Sequence, residues 1–329
     1  MILAGDIGGT KVRLGLFEPS GSDLKQLRDV TFVSKDHPSL ESILQAFLAG
    51  AAKPPMRAAC FGVAGPVIDG RCHTTNLPWT LDEAALAQSI GVARAKLLND
   101  VEAAAYGMLH LRPDEVRVLS PGKEPSRQGN IAVVSVGTGL GEGMLHWDGS
   151  AHHPIASEGG HTDFAPRTEE EIQLLRYLRQ RFGGHVSYER VLSGPGLFNI
   201  YTFLRDTGPD EEPAWLAKRL QHGDPNATIT AVGLAGEAPL CAQTLRLFCA
   251  ILGAEAGNLA LKCLAYGGVY LTGGIPPKIV PALESGSFMA GFTDKGRFAE
   301  LMRNLPVTVN LNPGAPLLGA AHYALRVRA

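Results

Sequence analysis

The chain has 329 residues, of which 45% are hydrophobic, so it can bury one large core or two moderate ones, and its length favours two domains. A formal net charge of −2 at pH 7, with Lys and Arg scattered along the sequence, excludes a broad attraction to nucleic acid or to an anionic membrane. Asp6 interrupts the first apolar stretch and nowhere do 18 apolar residues run together, so we expect no signal peptide and a soluble protein. The five cysteines lack the spacing of a zinc site or a disulfide scaffold, so we expect a cytoplasmic protein with reduced thiols.

Strand-like and helix-like runs alternate from the N-terminus to about residue 110, an order typical of an α/β domain. The segment Arg112–Gly129, with three prolines, two glycines and many charges, is predicted to be a loop between domains. The predicted strands are Met1–Ala4, Val12–Phe17, Asp29–Val33, Arg57–Val63 and Ala95–Leu98, and the predicted helices are Leu40–Ala49, Leu81–Ile90 and Val101–Leu109.

The second half is predicted to contain further helices and a buried strand. Thr168 is a candidate N-cap that is predicted to form a capping box with Glu171, acidic residues occupy the first turn after it, and its helix should run through about Phe182. Apolar spacing predicts a long helix over Leu240–Ala265, stopping at Gly267-Gly268, and its small residues between positions 253 and 257 permit close packing against another element. The remaining predictions are a strand over Val269–Thr272 and a final helix over Pro316–Val327.

Two glycine-rich segments, one in each half of the chain, share the pattern of strand, glycine turn and strand. The first contains Asp6-Ile7-Gly8-Gly9-Thr10, and the second contains Val136-Gly137-Thr138-Gly139-Leu140-Gly141. Because glycine has no Cβ, the backbone of such a turn can approach an anion closely, and its N–H groups and Thr hydroxyl can hold phosphate oxygens. The pair predicts a nucleotide held between two domains, with contacts from Gly8, Gly9, Thr10, Gly137, Thr138 and Gly139.

An ordinary β-hairpin and two well-known phosphate motifs are the alternatives for these turns. With 39 glycines in the chain, either turn alone would be interpreted as an ordinary β-hairpin. The dinucleotide fingerprint is not favoured because Glu142 stands where it needs a glycine, and no Gly-Lys-Ser/Thr sequence occurs for a P-loop. The presence of two matching turns favours phosphate binding.

Six motifs, in this order, resemble those of bacterial glucokinases, which belong to the actin-like ATPase and sugar kinase superfamily. They are Gly5–Thr10, Leu98–Asp100, Gly137–Gly141, Glu158–His161, Glu189–Gly194 and Leu271–Ile275. The resemblance extends from Met1 to the last helix and implies a two-domain α/β fold of the actin-like sugar kinase type. It implies a small α/β domain over residues 1–111 and 314–329, and a larger α+β domain over residues 112–313, around a cleft.

The same resemblance implies the activity and its partners. It implies ATP-dependent phosphorylation of D-glucose at the 6-hydroxyl, with ATP and Mg²⁺ as cofactors and with a homodimer as the assembly. A kinase for another hexose or an aminosugar is the nearest alternative. A non-catalytic sugar-binding regulator would lose the base or the phosphate turns, whereas both are present in this chain. An actin-like ATPase would lack the sugar-binding residues as a set.

Asn99-Asp100 follows a predicted strand and precedes a predicted helix, so helix capping alone would account for both residues. Ligands, however, bind at this edge of an α/β sheet. The resemblance implies that Asp100 accepts the proton of the sugar 6-hydroxyl and that Asn99 contacts neighbouring hydroxyls. Because phosphoryl transfer has a loose transition state, the proton leaves late, and the orientation of the base matters more than its basicity.

Two further positions are assigned to the nucleotide. Asp6 lies at the mouth of the first turn, where its carboxylate could cap the turn or hold Mg²⁺, directly or through water. The second glycine turn favours the metal role. Gly273-Gly274 follows a predicted buried strand and is expected to contact the adenosine and the α-phosphate of ATP.

Glu158, His161 and Glu189 match the positions that bind the 1-, 2- and 3-hydroxyls of the sugar in glucokinases. Carboxylates accept hydrogen bonds strongly and a neutral histidine can donate or accept, which suits sugar hydroxyls. Thr75–Trp79 resembles the sugar-side loop of the small domain, with Asn76 as a further candidate contact and Trp79 predicted to pack in the core. The chain lacks the cysteine-rich zinc motif of ROK kinases, which separates it from that branch.

Overall fold

The chain forms two compact units in the computed structural model, which describes residues 1–21, 23–49, 55–74, 77–123 and 128–326. The first unit consists of Met1–Pro113, His152–Ala156 and Asn312–Ala329, and the second of Asp114–Ala151 and Ser157–Leu311. Each unit is therefore assembled from segments that are distant in the sequence.

The described residues contain fourteen strands and twelve α-helices. The strands are β1 (Ile2–Ile7), β2 (Lys11–Ser20), β3 (Asp23–Val33), β4 (Ala58–Val63), β5 (Val67–Ile68), β6 (Arg71–His73), β7 (Thr80–Asp82), β8 (Ala95–Asn99), β9 (Val116–Ser120), β10 (Ile131–Val136), β11 (Leu140–Trp147), β12 (His152–Ile155), β13 (Gly268–Thr272) and β14 (Val307–Asn310). The helices are α1 (Leu40–Leu48), α2 (Glu83–Ile90), α3 (Asp100–Gly107), α4 (Glu169–Phe182), α5 (Gly194–Thr207), α6 (Ala214–His222), α7 (Pro225–Ala235), α8 (Pro239–Cys263), α9 (Val280–Glu284), α10 (Ser287–Thr293), α11 (Ala299–Asn304) and α12 (Ala315–Ala324).

The first unit is built on a five-stranded sheet in the order β3-β2-β1-β4-β8. β1 pairs antiparallel with β2 and parallel with β4, and β4 pairs parallel with β8. Leu3 and Phe61 pack with α1 and α2 on one face, whereas Ile2 and Cys60 pack with α3 and α12 on the other. Because both faces are covered, all residues of β4, and all residues of β1 except Asp6, are apolar or glycine, as is usual for parallel strands inside an α/β layer.

The second unit repeats four strands of this arrangement, because β11-β10-β13-β14 corresponds to β2-β1-β4-β8, and β9 is added antiparallel beside β14. β10 pairs antiparallel with β11 and parallel with β13, as β1 does with β2 and β4. Each glycine turn therefore connects the central strand of a sheet to its antiparallel neighbour. Each turn also lies at the edge where the parallel strands of its sheet end, which is where α/β sheets bind ligands.

The core of the second unit is formed around α8, whose small residues allow α10 to pack directly on it. A Cβ at Gly253 would overlap the carbonyl oxygen of Phe288, and a Cβ at Gly257 would lie 2.8 Å from that of Phe292. Among the described helices, α8 is the one that is long and apolar enough to cross a membrane, and 78% of its most apolar window is buried in the protein. The core helix of a globular unit meets the same criteria.

The helix α12 lies against α3 in the first unit at a very close distance. A Cβ at Gly107 would overlap the carbonyl oxygen of Ala315, and a Cβ at Gly319 would overlap that of Ala103. The two glycines, one on each helix, therefore allow the backbones to touch. This packing fixes the position of α3, which begins at Asp100.

Most of the predicted elements are confirmed, and the differences have local causes. Thr168 caps α4 by accepting from Glu171 N–H, but the Glu171 carboxylate accepts from Arg167 N–H and so completes no capping box. The predicted loop 112–129 is wrong in part, because β9 lies within it and pairs with β14. The predicted helix 81–90 loses its first two residues to β7. The helix α8 ends at Cys263, and Leu264, in a left-handed conformation (φ 48°), caps it in place of the expected glycine.

Candidate active site

The first glycine turn is fixed by its own backbone and by one buried serine. Gly8 N–H donates to Lys11 O (2.9 Å), which closes the turn between β1 and β2. Ser34, fully buried just after β3, donates from Oγ to Gly8 O (2.9 Å), and its N–H donates to Thr10 O (3.0 Å). Ser34 thus holds both flanks of the turn, while Thr10 remains exposed. Sequence reasoning missed this role because serine after a strand carries no distinctive signal.

Asp6 and Asp100 lie at the same edge of the first sheet. Asp6 on β1 is in register with Gly62 on β4, and a Cβ at Gly62 would be 3.8 Å from Asp100 Cα. Burial, followed by the nearby negative charge of Asp100, raises the pKa of Asp6 to about 6, and the positive charge of Arg13 opposes the shift. Two carboxyl groups therefore converge beside the first turn, with an excess of negative charge.

Arg13 contributes the positive charge at this edge. It stands opposite Asp6 in the β1–β2 register, is half-buried, and forms a bidentate ion pair with Asp29 on β3. The hydrogen bond to Asp29 is the largest cause that raises the pKa of Arg13. Sequence reasoning assigned no task to Arg13, and the structure shows a fixed cation that partly balances Asp6.

The carboxylates at this edge can supply two ligands to a Mg²⁺ ion that also binds phosphate, but they do not form a complete metal site by themselves. Within the described residues, no group of three or more His, Cys, Asp or Glu side chains is arranged to hold a metal ion. Asp6 and Asp100 are nevertheless two converging carboxyl groups whose mutual repulsion a cation would relieve. Mg²⁺ in phosphate sites takes one or two carboxylates together with phosphate oxygens and water, which is the set that this edge can provide.

Asn99 caps α3, a role that its position between a strand and a helix predicts. Its Oδ1 accepts from Val101 N–H (2.9 Å), and the Glu102 carboxylate accepts from Asn99 N–H (2.8 Å), completing a capping box. The amide of Asn99 also donates to Gly65 O at 3.2 Å. Asp100 is the first residue of the helix, and its Oδ1 accepts from Val101 N–H at 2.9 Å.

The second glycine turn is closed by Gly137 N–H, which donates to Gly139 O (2.9 Å). The end of β13 lies beside this turn: a Cβ at Gly273 (φ 90°) would overlap the backbone of Val136, and Ile275 N–H donates to Val136 O (3.0 Å). Gly274 N is 3.9 Å from the position a Cβ would take on Gly137. The structure therefore brings together Gly137–Gly139 and Gly273–Gly274, which sequence reasoning assigned to one nucleotide.

The three predicted sugar ligands lie on or directly before two short helical turns of the second unit: Glu158 precedes Gly159–His161, which ends in His161, and Glu189 lies in Tyr188–Arg190. Glu158 and His161 are both exposed, with 3.9 Å between the carboxylate and His161 Nε2. Tyr188 N–H donates to Thr162 O (3.0 Å), which joins the two turns.

Glu189 also contacts the second glycine turn. Its Oε2 accepts from Leu140 N–H (3.0 Å), and a Cβ at Gly139 would meet this oxygen. A predicted sugar ligand and a predicted phosphate turn are therefore in direct contact. Trp79 is buried, as predicted, and Asn76 lies outside the described residues.

The known proteins that are similar in sequence and fold include glucokinases. A family model described as glucokinase matches residues 3–327. A glucokinase of Nostoc punctiforme is 43% identical, covering 99% of each chain. The crystal structure of a glucokinase from an Antarctic psychrotroph has a TM-score of 0.86 at 32% identity, covering 99% of this chain and 98% of that one. A ROK family glucokinase from Streptomyces griseus, crystallised with glucose and AMPPNP, has a TM-score of 0.65 at 22% identity, covering 99% of each chain, and so shares the fold.

Two sheets that share a four-strand arrangement, each carrying a glycine turn where its parallel strands end, define a two-domain sugar kinase fold. With the family model matched almost from end to end, the chain belongs to the glucokinase family and is a hexokinase-type phosphotransferase.

Proposed function

We propose that this chain catalyses the ATP-dependent phosphorylation of D-glucose at the 6-hydroxyl, with Asp100 as the general base. The observation that carries the proposal is that Asp100, Asp6 and the first glycine turn lie together at one edge of the first sheet. Family membership supports the reaction class. The relatives named above support glucose as the acceptor of the phosphoryl group and a nucleoside triphosphate as its donor.

The geometry at Asp100 suits a base that acts late. Its carboxylate projects from the first residue of α3, and the hydrogen bond from Val101 N–H orients it. In a loose transition state the hydroxyl proton leaves only after bonding to phosphorus has begun, so the base must be aimed rather than strong. The close packing of α3 on α12 helps to hold the Asp100 carboxylate in this orientation, because it prevents α3 from shifting along the sheet.

The phosphates of ATP are held by backbone N–H groups of the two glycine turns, with Thr10 and Thr138 adding hydroxyl donors. Gly273 and Gly274 border the second turn and contact the adenosine and α-phosphate. Asp6 holds Mg²⁺, directly or through water, and the ion neutralises charge on the phosphates when bound. With its pKa raised to about 6, Asp6 is largely ionised at pH 7 and can serve as a ligand.

Glu158, His161 and Glu189 bind the 1-, 2- and 3-hydroxyls of glucose, and Asn99 adds a contact near the base. Glu189 has two tasks in this scheme, because its carboxylate also accepts from Leu140 N–H at the second glycine turn. Binding of glucose to Glu189 is thereby coupled to the shape of the second glycine turn. We also propose that the enzyme is cytoplasmic. We further propose that it is a homodimer, which sedimentation of the purified protein would test.

The decisive variant is Asp100→Asn, which keeps the shape of the side chain and removes its basicity. We expect kcat to fall by about 10²- to 10⁴-fold, the range for a positioned base, with glucose binding retained. Steady-state kinetics with coupled detection of ADP gives kcat, and calorimetric titration gives glucose affinity.

A matched control is Asp36→Asn, which makes the same charge change at an exposed position of the same unit and should leave kcat unchanged. Near-normal turnover of Asp100→Asn would remove Asp100 from the role of base.

A panel of hexoses and aminosugars with the wild-type enzyme identifies the acceptor, because a site that leaves a buried polar group unpaired can reject an isomer by as much as ~10⁴-fold. Equal kcat/KM for glucose and galactose would contradict the proposed ligand set.

A further inference from the structure

Two buried carboxyl groups lie directly beneath the turn that carries Glu158 and His161. Glu142 on β11 is 1% exposed and Glu255 on α8 is fully buried. The two side chains are within hydrogen-bonding reach of each other, and in each the Oε1 atom accepts no hydrogen bond from any described donor. Two adjacent buried anions would be strongly unfavourable, whereas one proton between them gives both groups a partner.

The surrounding donors decide which carboxyl group holds that proton. Asn258 Nδ2 donates to Glu255 Oε2 (2.8 Å), the Tyr188 hydroxyl is within hydrogen-bonding reach of Glu255, and Lys262 Nζ lies 3.6 Å from its Oε1. These are the partners of a carboxylate anion, so the proton belongs on Glu142. Burial, followed by the negative charge of Glu255, raises the pKa of Glu142 to about 8, which keeps it mostly protonated at neutral pH.

Glu142 supports the Glu158–His161 turn by contact. A Cβ at Gly159 would overlap Glu142 Oε2, and a Cβ at Gly160 would overlap Leu140 O. The turn therefore rests on β11 at two places, with the Glu142 carboxyl filling the space that a larger residue at position 159 would need. A displacement of the Glu142 carboxyl group toward the turn would therefore also displace Gly159.

The same pair reaches the turn that carries Glu189. Tyr188, which precedes Glu189, is 3% exposed and lies within hydrogen-bonding reach of Glu255. Asn258 Nδ2, besides its bond to Glu255, donates to the Tyr188 hydroxyl at 3.2 Å, and Lys295 Nζ donates to Asn258 Oδ1 at 2.6 Å. One buried network thus contacts both turns that present sugar ligands.

We propose that Glu142, protonated and hydrogen-bonded to Glu255, is a positioning residue for the sugar, holding the Glu158–His161 turn and, through Glu255 and Tyr188, the Glu189 turn at a fixed spacing. The proposal rests on the assignment of Glu158, His161 and Glu189 as sugar ligands. It assigns Glu142 no contact with the sugar and no part in the phosphoryl transfer itself.

Loss of the shared proton should loosen both turns. The charged and titratable groups that interact with the pair are Lys262 on α8, Lys295 after α10, and Tyr188. Burial, followed by the positive charge of Arg167, lowers the pKa of Lys295. A second anion on Glu142 would therefore repel Glu255 and displace Gly159, and glucose binding would weaken above about pH 8 while kcat changes little.

The test compares Glu142→Gln and Glu142→Ala with the wild type, measuring kcat and the KM for glucose from pH 6.5 to 9 under saturating Mg-ATP. A glutamine amide can donate to Glu255 without titrating, so Glu142→Gln should bind glucose like the wild type at pH 7 and keep a flat KM up to pH 9. The wild-type KM should rise several-fold over the same range. Glu142→Ala should raise the KM at pH 7 by about tenfold or more, with kcat within a few-fold, as expected for the loss of a buried hydrogen-bonded group.

The control is Glu171→Gln, which alters another buried carboxyl group of the same unit, whose carboxylate accepts from Arg167 rather than from either turn. It should lower thermal stability without changing the pH dependence of the KM. If Glu142→Ala does not fold, the comparison of the wild type with Glu142→Gln, together with calorimetric glucose affinity at pH 7 and 9, still decides the question.

An alkaline rise in KM that is identical in the wild type and Glu142→Gln would overturn the proposal, and so would a normal KM in Glu142→Ala. The sugar-ligand assignment is judged separately, from Glu158→Gln and Glu189→Gln. If those variants weaken glucose binding and the Glu142 variants do not, only the positioning role fails. If those variants bind glucose normally, the ligand assignment fails.

Discussion

A single buried residue can determine the shape of the first glycine turn in this enzyme. Ser34 is fully buried and spans the first glycine turn, donating from its hydroxyl to Gly8 O and from its N–H to Thr10 O. A glycine turn is intrinsically mobile, so its N–H groups converge on a phosphate only when its carbonyl groups are held. Ser34 supplies that constraint from the end of β3.

Ser34→Ala should therefore weaken ATP binding without affecting the sugar. The lost hydrogen bond is worth about 0.5–1.5 kcal/mol, and we expect the KM for ATP to rise about 2- to 10-fold with the KM for glucose unchanged. Steady-state kinetics with each substrate varied in turn provides the measurement. Ser285→Ala serves as the control, because the Ser285 hydroxyl donates to Ala282 O within its own turn. A normal KM for ATP in Ser34→Ala would show that the turn keeps its shape without the serine.

At the scale of elements, the contact between α3 and α12 connects the end of the chain to the proposed base. Gly107 and Gly319 allow the two helix backbones to touch, and α3 begins at Asp100. The residues of α12 that face the sheet, including Leu317 and Ala320, complete the apolar cluster on that face of the first unit. The helix therefore contributes both to stability and to the orientation of the site.

Gly319→Ala tests this contact. The added methyl group would overlap Ala103 O, and overpacking of this kind typically costs about 1–3 kcal/mol, so we expect a lower melting temperature and a reduced kcat because α3 must shift. Thermal unfolding and steady-state kinetics are the measurements. Gly223→Ala is a suitable control, since its Cβ would meet its nearest neighbour at an ordinary 3.4 Å. Wild-type stability in Gly319→Ala would mean that the helices can separate without cost.

At the scale of the whole molecule, stability should depend on pH through carboxyl groups whose pKa is raised. Asp6, with a pKa of about 6, and Glu142, with a pKa of about 8, both bind a proton more tightly in the folded than in the unfolded chain. Such groups stabilise the fold below their unfolded pKa, and the contribution is lost as the pH rises through the folded pKa. Burial lowers the pKa of His322, which has the opposite sign: its contribution is lost as the pH falls below about 6.5.

Between pH 6.5 and 8, Glu142 should therefore dominate this dependence. We expect the free energy of unfolding of the wild type to fall by up to about 2 kcal/mol across this interval, at no more than about 1.4 kcal/mol per pH unit, and the dependence to be absent in Glu142→Gln. Chemical denaturation at closely spaced pH values measures it. Parallel curves for the two proteins would show that Glu142 is not protonated in the folded state.

Much of the fold was predictable because its signals are local. The two glycine turns, the N-cap at Thr168, the strand before Asn99-Asp100 and the small residues within α8 all depend on a few neighbouring positions, and the structure confirms each. The strand β9 was missed because prolines and charges surround it. Its strand character comes from pairing at the sheet edge with β14, which lies far along the chain.

The sequence by itself determined the elements, the six motifs and therefore the family. Only the tertiary structure decided that Ser34 braces Gly8, that Arg13 pairs with Asp29, and that Glu142 meets Glu255 beneath Gly159. Backbone propensities and capping act over a few residues, so they leave a trace in the local sequence. A contact between distant residues depends instead on strand register and helix packing, which bring side chains together only when the whole unit has folded.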